Sequence, residues 1–275
     1  MSRHLHFWGV RGSMPVGGAD TTRYGGHTPC ISVDGGGRSH IVIDAGTGIH
    51  QFQKSLPDPG DDGWDFHVLF THYHLDHIIG LPFFKPLYDP RNTFTFYGYP
   101  YEGMAVNEVI HRILAPPWFP ISLAEVPSTQ HFMALNGDGF SIAGIEIQPE
   151  QLEHPQGVAA FRLRGPERSV VFATDNERGV SSHLDDRLDE LARGVDVLIH
   201  DAQYTPQEYE LEHTGWGHST WQMAVDAARS AGVGELLLMS HDPDRTDEGV
   251  DEIVERARQS GVNLRAAFEG LSIVI

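Results

Sequence analysis

A short stretch at residues 70–80 reads FTHYHLDHIIG and places His72, His74, Asp76 and His77 within six positions, between two apolar runs. Buried imidazole and carboxylate groups are costly unless each one finds a hydrogen-bond partner or a metal. Two histidines two positions apart in an extended segment point the same way. Imidazole nitrogen and carboxylate oxygen both bind Zn²⁺ and Mn²⁺. The spacing therefore predicts a metal site, with a cluster large enough to share between two ions.

The elements around this stretch indicate how it is positioned. Strands are predicted at residues 4–10, 29–34, 39–44, 66–71, 93–98, 140–147, 158–164, 169–174, 195–200 and 235–240 and in the terminal 264–275. Helices are predicted at residues 47–54, 76–84, 102–114, 184–193, 218–231 and 245–260. Strands come first in runs and later alternate with helices. This order favours an α/β fold, a four-layer α/β/β/α sandwich, and the absence of linkers favours a single domain over residues 1–275.

Composition limits the classes of function. The formal net charge is −19, from 19 basic and 38 acidic residues, so we expect no long nucleic acid as a partner, because phosphate neutralisation needs a basic surface. No apolar run reaches the roughly 18 residues of a membrane span, and the first residues lack the apolar core of a signal peptide. We therefore expect no membrane partner and a cytoplasmic location. Cys30 is the only cysteine, so nitrogen and oxygen must hold any metal.

The stretch THYHLDH resembles the metal-binding motif of the metallo-β-lactamase superfamily. In that family a third histidine, a metal-bridging aspartate at a strand end and a last histidine at another strand end follow along the chain. Here LEHP offers His154, VVFATD offers Asp175 and ELLLMSHD offers His241. The resemblance implies two divalent metal ions, Zn or Mn. It assigns His72, His74 and His154 to one ion and Asp76, His77 and His241 to the other, with Asp175 shared.

A second block, DVLIHDAQYTPQEY followed by GHSTWQMAVDAA, resembles a segment of ribonuclease Z and its relatives. The resemblance implies that His218 contacts the scissile phosphate or protonates the leaving oxygen, while Asp201 holds the imidazole in the required tautomer. An aspartate-held imidazole at a helix start is also well placed beside an anion. The alternative is that His218 is an ordinary histidine at a helix start and Asp201 lies in an unrelated turn.

The amino-terminal block, FWGVRGSMP followed by RYGGHTPC, resembles a subgroup of the superfamily that includes proteins related to cyclic-nucleotide phosphodiesterases. His27 replaces the asparagine usual in that subgroup, so the resemblance does not extend to a substrate contact made by that asparagine. Two interpretations of the block stay open. Arg11 and Ser13 face the phosphate, or Arg11 only pins the glycine-rich turn.

These observations predict a metal-dependent hydrolase: a binuclear phosphodiesterase that acts on a small, cyclic, nucleotide-like phosphodiester through a metal-activated hydroxide. The predicted catalytic residues are Asp76, Asp175, Asp201 and His218. The alternatives are a ribonuclease Z-like nuclease of RNA 3′ ends and a non-catalytic metal-binding sensor module. Only twenty residues separate His154 from Asp175, too few for the tRNA-binding arm of ribonuclease Z. Residues 97–123 are predicted to form a lid or a dimer contact, and we expect a homodimer.

Overall fold

Two seven-stranded sheets make up the centre of the computed structural model, which describes residues 2–275. The first sheet contains β1 (His4–Gly9), β2 (Cys30–Gly36), β3 (Ser39–Ile43), β4 (Asp65–Leu69), β5 (Thr93–Gly98), β6 (Thr129–Ala134) and β14 (Ser272–Val274). The second contains β7 (Phe140–Ile142), β8 (Ile145–Leu152), β9 (Val158–Arg164), β10 (Ser169–Ala173), β11 (Val197–Asp201), β12 (Glu235–Met239) and β13 (Leu264–Ala266). The strand orders are β14-β1-β2-β3-β4-β5-β6 and β13-β12-β11-β10-β9-β8-β7.

Helices cover the outer face of each sheet. They are α1 (Ile49–Ser55), α2 (Leu75–Ile78), α3 (Val106–Ile113), α4 (Ser182–Leu191), α5 (Pro206–Glu208), α6 (Trp221–Ala231) and α7 (Asp247–Arg258). Buried side chains of α1 and α3 pack on the first sheet, and those of α4, α6 and α7 pack on the second. A third apolar cluster fills the space between the sheets. The predicted four-layer α/β/β/α sandwich is confirmed, while the single-domain interpretation stays a prediction.

The central strands β10, β11 and β12 of the second sheet are buried on both faces. Val170, Val171 and Phe172 of β10 are all fully buried, because one face meets the first sheet and the other meets the helices. Strands β10, β11 and β12 run parallel, as do β3 and β4. Parallel strands end at a common edge, and the polar residues that follow them are therefore gathered there.

Two predicted helices are shorter than expected. The segment 76–84 is helical only as α2, because Pro82 has no N–H to continue the ladder, and a 3₁₀ turn at Leu81–Phe83 follows instead. The segment 102–114 begins as a helix only at Val106. Glu102 and Gly103 have φ values of 46° and 82°, which form a tight turn and exclude a helix there.

The strand predictions also differ from the structure in three places. The terminal segment 264–275 forms two strands, β13 in the second sheet and β14 in the first, because a turn that includes Gly270, with φ of 88°, separates them. The segment 140–147 is a hairpin of β7 and β8, because Ala143 and Gly144 adopt φ values of 49° and 83° and reverse the chain. Strand β6 was not predicted: it lies at the edge of its sheet and buries little, so it lacks the apolar alternation that marks a strand. Within residues 2–275, none of the helices is both long and apolar enough to cross a bilayer.

Candidate metal centre

Three histidines converge at the common edge of the sheets. His72 and His74 follow β4, and His154 follows β8. One ligand atom from each lies within 4.8 Å of the others, and His154 Nε2 is 3.1 Å from His74 Nδ1. His154 Nδ1 lies 2.7 Å from the carbonyl oxygen of Gly217. Because a carbonyl only accepts, Nδ1 carries the proton, and the lone pair on Nε2 faces the other two imidazoles.

A second group joins His77 to three carboxylates. His77 Nδ1 is 2.8 Å from Asp44 Oδ2, and Nε2 is 3.2 Å from Asp76 Oδ2 and 3.4 Å from Asp175 Oδ1. Burial alone would lower the pKa of His77, but these carboxylates raise it well above its usual value. His77 Nε2 faces Asp76 and Asp175, yet it is buried and has no hydrogen-bond partner among residues 2–275. A divalent cation bound there would satisfy the nitrogen and both carboxylates, and binding would release any proton that the imidazole carries.

The donor atoms fit a divalent cation. His72 Nε2 is buried and has no hydrogen-bond partner in the part of the chain that the structure describes, residues 2–275. Burial lowers the pKa of His72 well below its usual value and that of His154 to about 4, so both imidazoles are neutral at pH 7, the form that binds metal. Unpaired buried nitrogen atoms are costly, and coordination of a cation would satisfy them.

His241 stands apart from these groups. It follows β12, and its Nε2 lies 3.0 Å from the Ala267 carbonyl oxygen, so Nε2 donates and Nδ1 keeps the lone pair. Burial lowers its pKa to about 4. Neither His241 nor Asp76 belongs to the close triplets found among residues 2–275, which are His72–His74–His154, His72–His77–Asp175 and Asp175–Asp201–His218. The assignment of both residues to a metal stays a prediction.

The third triplet contains the Asp201 and His218 pair. His218 Nδ1 lies 2.7 Å from Asp201 Oδ2, and the backbone N–H groups of Asp175, Gln203 and Ser219 also donate to the Asp201 carboxylate. Burial would lower the pKa of His218, but the charge and hydrogen bond of Asp201 outweigh it and raise the pKa to about 9. The predicted helix 218–231 begins only at Trp221, with Thr220 as its cap, so His218 lies in the loop before α6.

Three strand-end residues of the site have left-handed backbones. Asp44, Asp175 and Ser240 follow β3, β10 and β12, with φ values of 59°, 55° and 57°. Such conformations cost about 1–3 kcal/mol each in residues other than glycine and persist where the surrounding structure enforces them. They turn the chain sharply at the strand ends and direct the aspartates into the cluster.

A cleft of about 380 Å³ opens over the cluster and is lined by Ser13, His74, Leu75, Asp76, Asp175 and His218. The cleft thus joins the predicted metal ligands and the His218 side chain. Residues 39–241 match the family model described as the β-lactamase superfamily domain. The chain belongs to the β-lactamase superfamily. The predicted metal-dependent hydrolase is confirmed at the level of this family.

Individual relatives of this superfamily domain agree with that assignment. The ribonuclease Z of Haloferax volcanii is 24% identical over 307 residues, covering 94% of this chain and 90% of its own. The metallo-β-lactamase fold protein YhfI from Bacillus subtilis has a TM-score of 0.72 at 19% identity, covering 100% and 99% of the two chains. A structure described as a new diphosphatase from the PhnP family has a TM-score of 0.71 at 19% identity, covering 100% and 98%. The two structural similarities show the fold.

The contacts of Arg11 decide between the two interpretations of the amino-terminal block of this superfamily member. Arg11 is fully buried, and its guanidinium donates to the backbone carbonyls of Gly25, Asp242 and Arg245. Arg11 therefore pins the glycine-rich turn, while Ser13 lines the cleft. His27 lies in the loop before β2 and contacts Thr47 Oγ1 through Nδ1 at 3.2 Å and Gln51 Nε2 of α1 through Nε2 at 3.0 Å. It is not among the residues that line the cleft.

Sequence reasoning missed two buried carboxylates. Asp44 accepts hydrogen bonds from the Thr71 backbone and hydroxyl, both at 2.8 Å, besides its contact with His77. The sequence does carry a local pattern for Asp44, which directly follows the apolar run IVI, much as Asp175 follows VVFAT. Glu177 accepts from the hydroxyl of Tyr209 and from the N–H groups of Gly215 and Gly217. It thereby fixes the loop whose carbonyl orients His154, and no local pattern reveals partners so distant in sequence.

Replacement of Asp44 by asparagine should lower metal affinity by about 10–100-fold, the usual effect of losing a carboxylate that orients a metal-bound histidine. Competition with a chromogenic chelator measures this affinity directly. Asp65→Asn is the matched control, because Asp65 contacts His67 Nε2 at 3.2 Å on the same sheet, away from the cluster. Equal affinities of a folded Asp44→Asn variant and the wild type would show that Asp44 does not orient a ligand.

Proposed function

We propose that this superfamily domain is a binuclear metal-dependent phosphodiesterase that hydrolyses a small, cyclic, nucleotide-like phosphodiester. The observation that carries the proposal is the position of Asp175. Its carboxylate lies 3.4 Å from His77 Nε2 and 3.8 Å from His218 Nδ1, so the histidine cluster and the Asp201–His218 pair share one residue and one cleft. A phosphodiester placed there would meet two cation sites and a charged imidazole at once.

The residues divide the chemistry in the following way. When bound, divalent cations supply Lewis acidity: they polarise phosphoryl oxygens and lower the pKa of water. Asp175 accepts a hydrogen bond from the attacking water and orients it towards phosphorus. His218 carries a proton on Nε2 and donates it to the phosphoryl or leaving oxygen, while Asp201 holds Nδ1–H and stabilises the imidazolium. Ser13 offers a hydroxyl at the wall of the same cleft.

Small substrates are favoured by the surface and by the chain between His154 and Asp175. Strands β9 and β10 pair antiparallel and are joined only by residues 165–168, so no arm extends there to grip a long RNA. The net charge of −19 also disfavours a polyanion. A protein of similar fold is described as a diphosphatase of the PhnP family.

The second candidate is a ribonuclease Z-like nuclease, which is supported by the similarity to the Haloferax volcanii enzyme over nearly the full length of both chains. The non-catalytic sensor module is the third. Zn²⁺ and Mn²⁺ both suit mixed imidazole and carboxylate ligands, and a cytoplasmic location stays a prediction.

We also propose a homodimer. Leu75, Ile79 and Phe83 recur every four residues and are exposed, and Phe83 contacts Phe119 with ring centroids 5.8 Å apart. Trp118, in the 97–123 segment, is 80% exposed. Exposed apolar groups that adjoin in this way are typical of protein interfaces, and a second copy of the chain would cover them.

The test of the proposed function compares two substrate types. We expect measurable hydrolysis of 3′,5′- or 2′,3′-cyclic mononucleotides, and little cleavage of precursor tRNA, because a long polyanion must approach past net negative charge. Steady-state assays run side by side in the same Mn²⁺ or Zn²⁺ buffer give kcat/KM for both. A higher value on precursor tRNA than on every cyclic nucleotide tested would favour the nuclease, and no turnover of either would favour the sensor.

A further inference from the structure

A second cavity, of about 280 Å³, lies beside the metal cleft. Leu75 lines both cavities, and His72 and Thr71 form part of the wall of the second. The remaining walls come from α2, from the start of β9 and from residues 99–113, which belong to the 97–123 segment. That segment therefore builds a pocket wall next to the predicted metal ligands, and its role as a lid or a dimer contact stays a prediction.

The lining of this second cavity is aromatic and apolar with a few polar groups. Tyr73, Tyr99 and Tyr101 line it together with Met104, Ile113 and Val158. Besides Thr71, His72 and the tyrosine hydroxyls, its polar side chains are Arg112, Gln151 and Gln156. No aspartate or glutamate of residues 2–275 lines it, although the protein has twice as many acidic as basic residues. Among residues 2–275, no side chain forms an ion pair with Arg112 in this structure. The cavity therefore suits a neutral or anionic ligand.

Backbone hydrogen bonds and one side-chain hydrogen bond preform the cavity. Tyr101 and Met104 exchange N–H···O hydrogen bonds of 2.9 and 2.7 Å across a tight turn, so their side chains stand together. The Tyr73 hydroxyl donates to the Tyr99 carbonyl oxygen at 2.9 Å, which ties the loop after β4 to the loop after β5. Rings held in fixed positions stack on a planar ligand with little loss of conformational entropy.

We infer that this cavity is the nucleobase pocket of the enzyme, an inference that rests on the proposed function. A planar heterocycle would stack on the tyrosine rings, and the amides of Gln151 and Gln156, each with donors and an acceptor, match the mixed donor and acceptor edges of a base. Leu75 lines both the metal cleft and this cavity. A nucleotide with its phosphodiester in the metal cleft would therefore pass over Leu75 and place its base in the cavity. Arg112 stands at the rim and would stack on the base or pair with an anionic group.

The experiment measures binding of ribonucleosides that carry no phosphate, by NMR titration, so that the readout does not depend on turnover. We expect saturable binding of at least one of adenosine, guanosine, cytidine and uridine, and none of ribose. Met104→Trp should fill the cavity and weaken this binding about tenfold or more, while His111→Trp, on the exposed face of α3, should not. Tyr101→Ala removes a ring without adding volume and should weaken binding about 5–100-fold. It serves as the test variant if Met104→Trp does not fold.

Activity gives a second readout with substrates that differ only in the base. Met104→Trp should lower kcat/KM for a 2′,3′-cyclic nucleotide about tenfold and leave kcat/KM for the 2′,3′-cyclic phosphate of methyl ribofuranoside unchanged. Nucleoside binding without any phosphodiester turnover would contradict the proposed function but support the nucleobase pocket. Turnover without nucleoside binding would contradict the nucleobase pocket but leave the proposed function standing. The same holds if Met104→Trp lowers kcat/KM equally on both substrates.

Discussion

We expect the His218→Ala variant to lose about 10²–10⁴-fold in turnover of its phosphodiester, the usual contribution of a positioned proton donor or phosphate contact, and to keep the metal content of the wild type. The reason is that His218 is not one of the predicted metal ligands. Its Nδ1 is hydrogen-bonded to Asp201 at 2.7 Å, so only Nε2 is free to act in the cleft. Removing it leaves the other histidines in place.

The measurements are kcat on a cyclic mononucleotide and metal content by atomic emission. His183→Ala is the control, because His183 is exposed on α4 and should change neither quantity. Asp201→Asn should also lower kcat while sparing metal content, since an amide in place of the carboxylate cannot stabilise an imidazolium. Full activity of a correctly folded His218→Ala variant would remove this residue from the mechanism.

The Asp175→Asn variant should lose about 10³-fold or more in turnover, because one divalent cation contributes several kcal/mol of charge stabilisation to the transition state. Its metal content should fall from about two equivalents to about one, since two-metal sites depend on a shared ligand. Asparagine tolerates the left-handed backbone that Asp175 adopts, with φ of 55°, so the change removes the charge and spares the fold.

Metal analysis of protein purified without chelator, together with kcat, tests this expectation. Asp226→Asn is the matched control, because Asp226 is exposed on α6 and lies outside the clustered groups. Two equivalents retained by the Asp175→Asn variant would contradict a bridging role. Wild-type protein with almost no metal after reconstitution would contradict the binuclear proposal itself.

The sequence predicted the parts of the site whose signal is local. His72 to His77 stand out because polar ligands within six positions directly follow an apolar strand, and Asp175 and His241 stand out because each follows another such strand. Asp44 carries the same signal and could have been found from it. Glu177 could not be predicted in this way. Its carboxylate accepts hydrogen bonds from the N–H groups of Gly215 and Gly217, and only folding brings these groups to it.

In the fold, too, the elements with a local sequence pattern were the ones predicted. The buried strands β10 to β12 were predicted because burial on both faces produces unbroken apolar runs. Edge strand β6 and the turn at Ala143 and Gly144 escaped prediction, because the first buries few side chains and the second interrupts an otherwise strand-like sequence. The pocket walls contributed by residues 99–113 were likewise beyond prediction, since they depend on how a loop packs on another sheet's hairpin.

The pairing of β1 with β14 sets the order in which this protein can be completed during synthesis. His4 lies opposite Val274 and His6 opposite Ser272, so one edge of β1 has no neighbour until residues 272–274 have left the ribosome. Strands β2 to β6 can assemble earlier, and the nascent chain then presents an open strand edge, a template for pairing with other chains. Any change that keeps residues 272–274 from pairing with β1 should therefore leave this strand edge open.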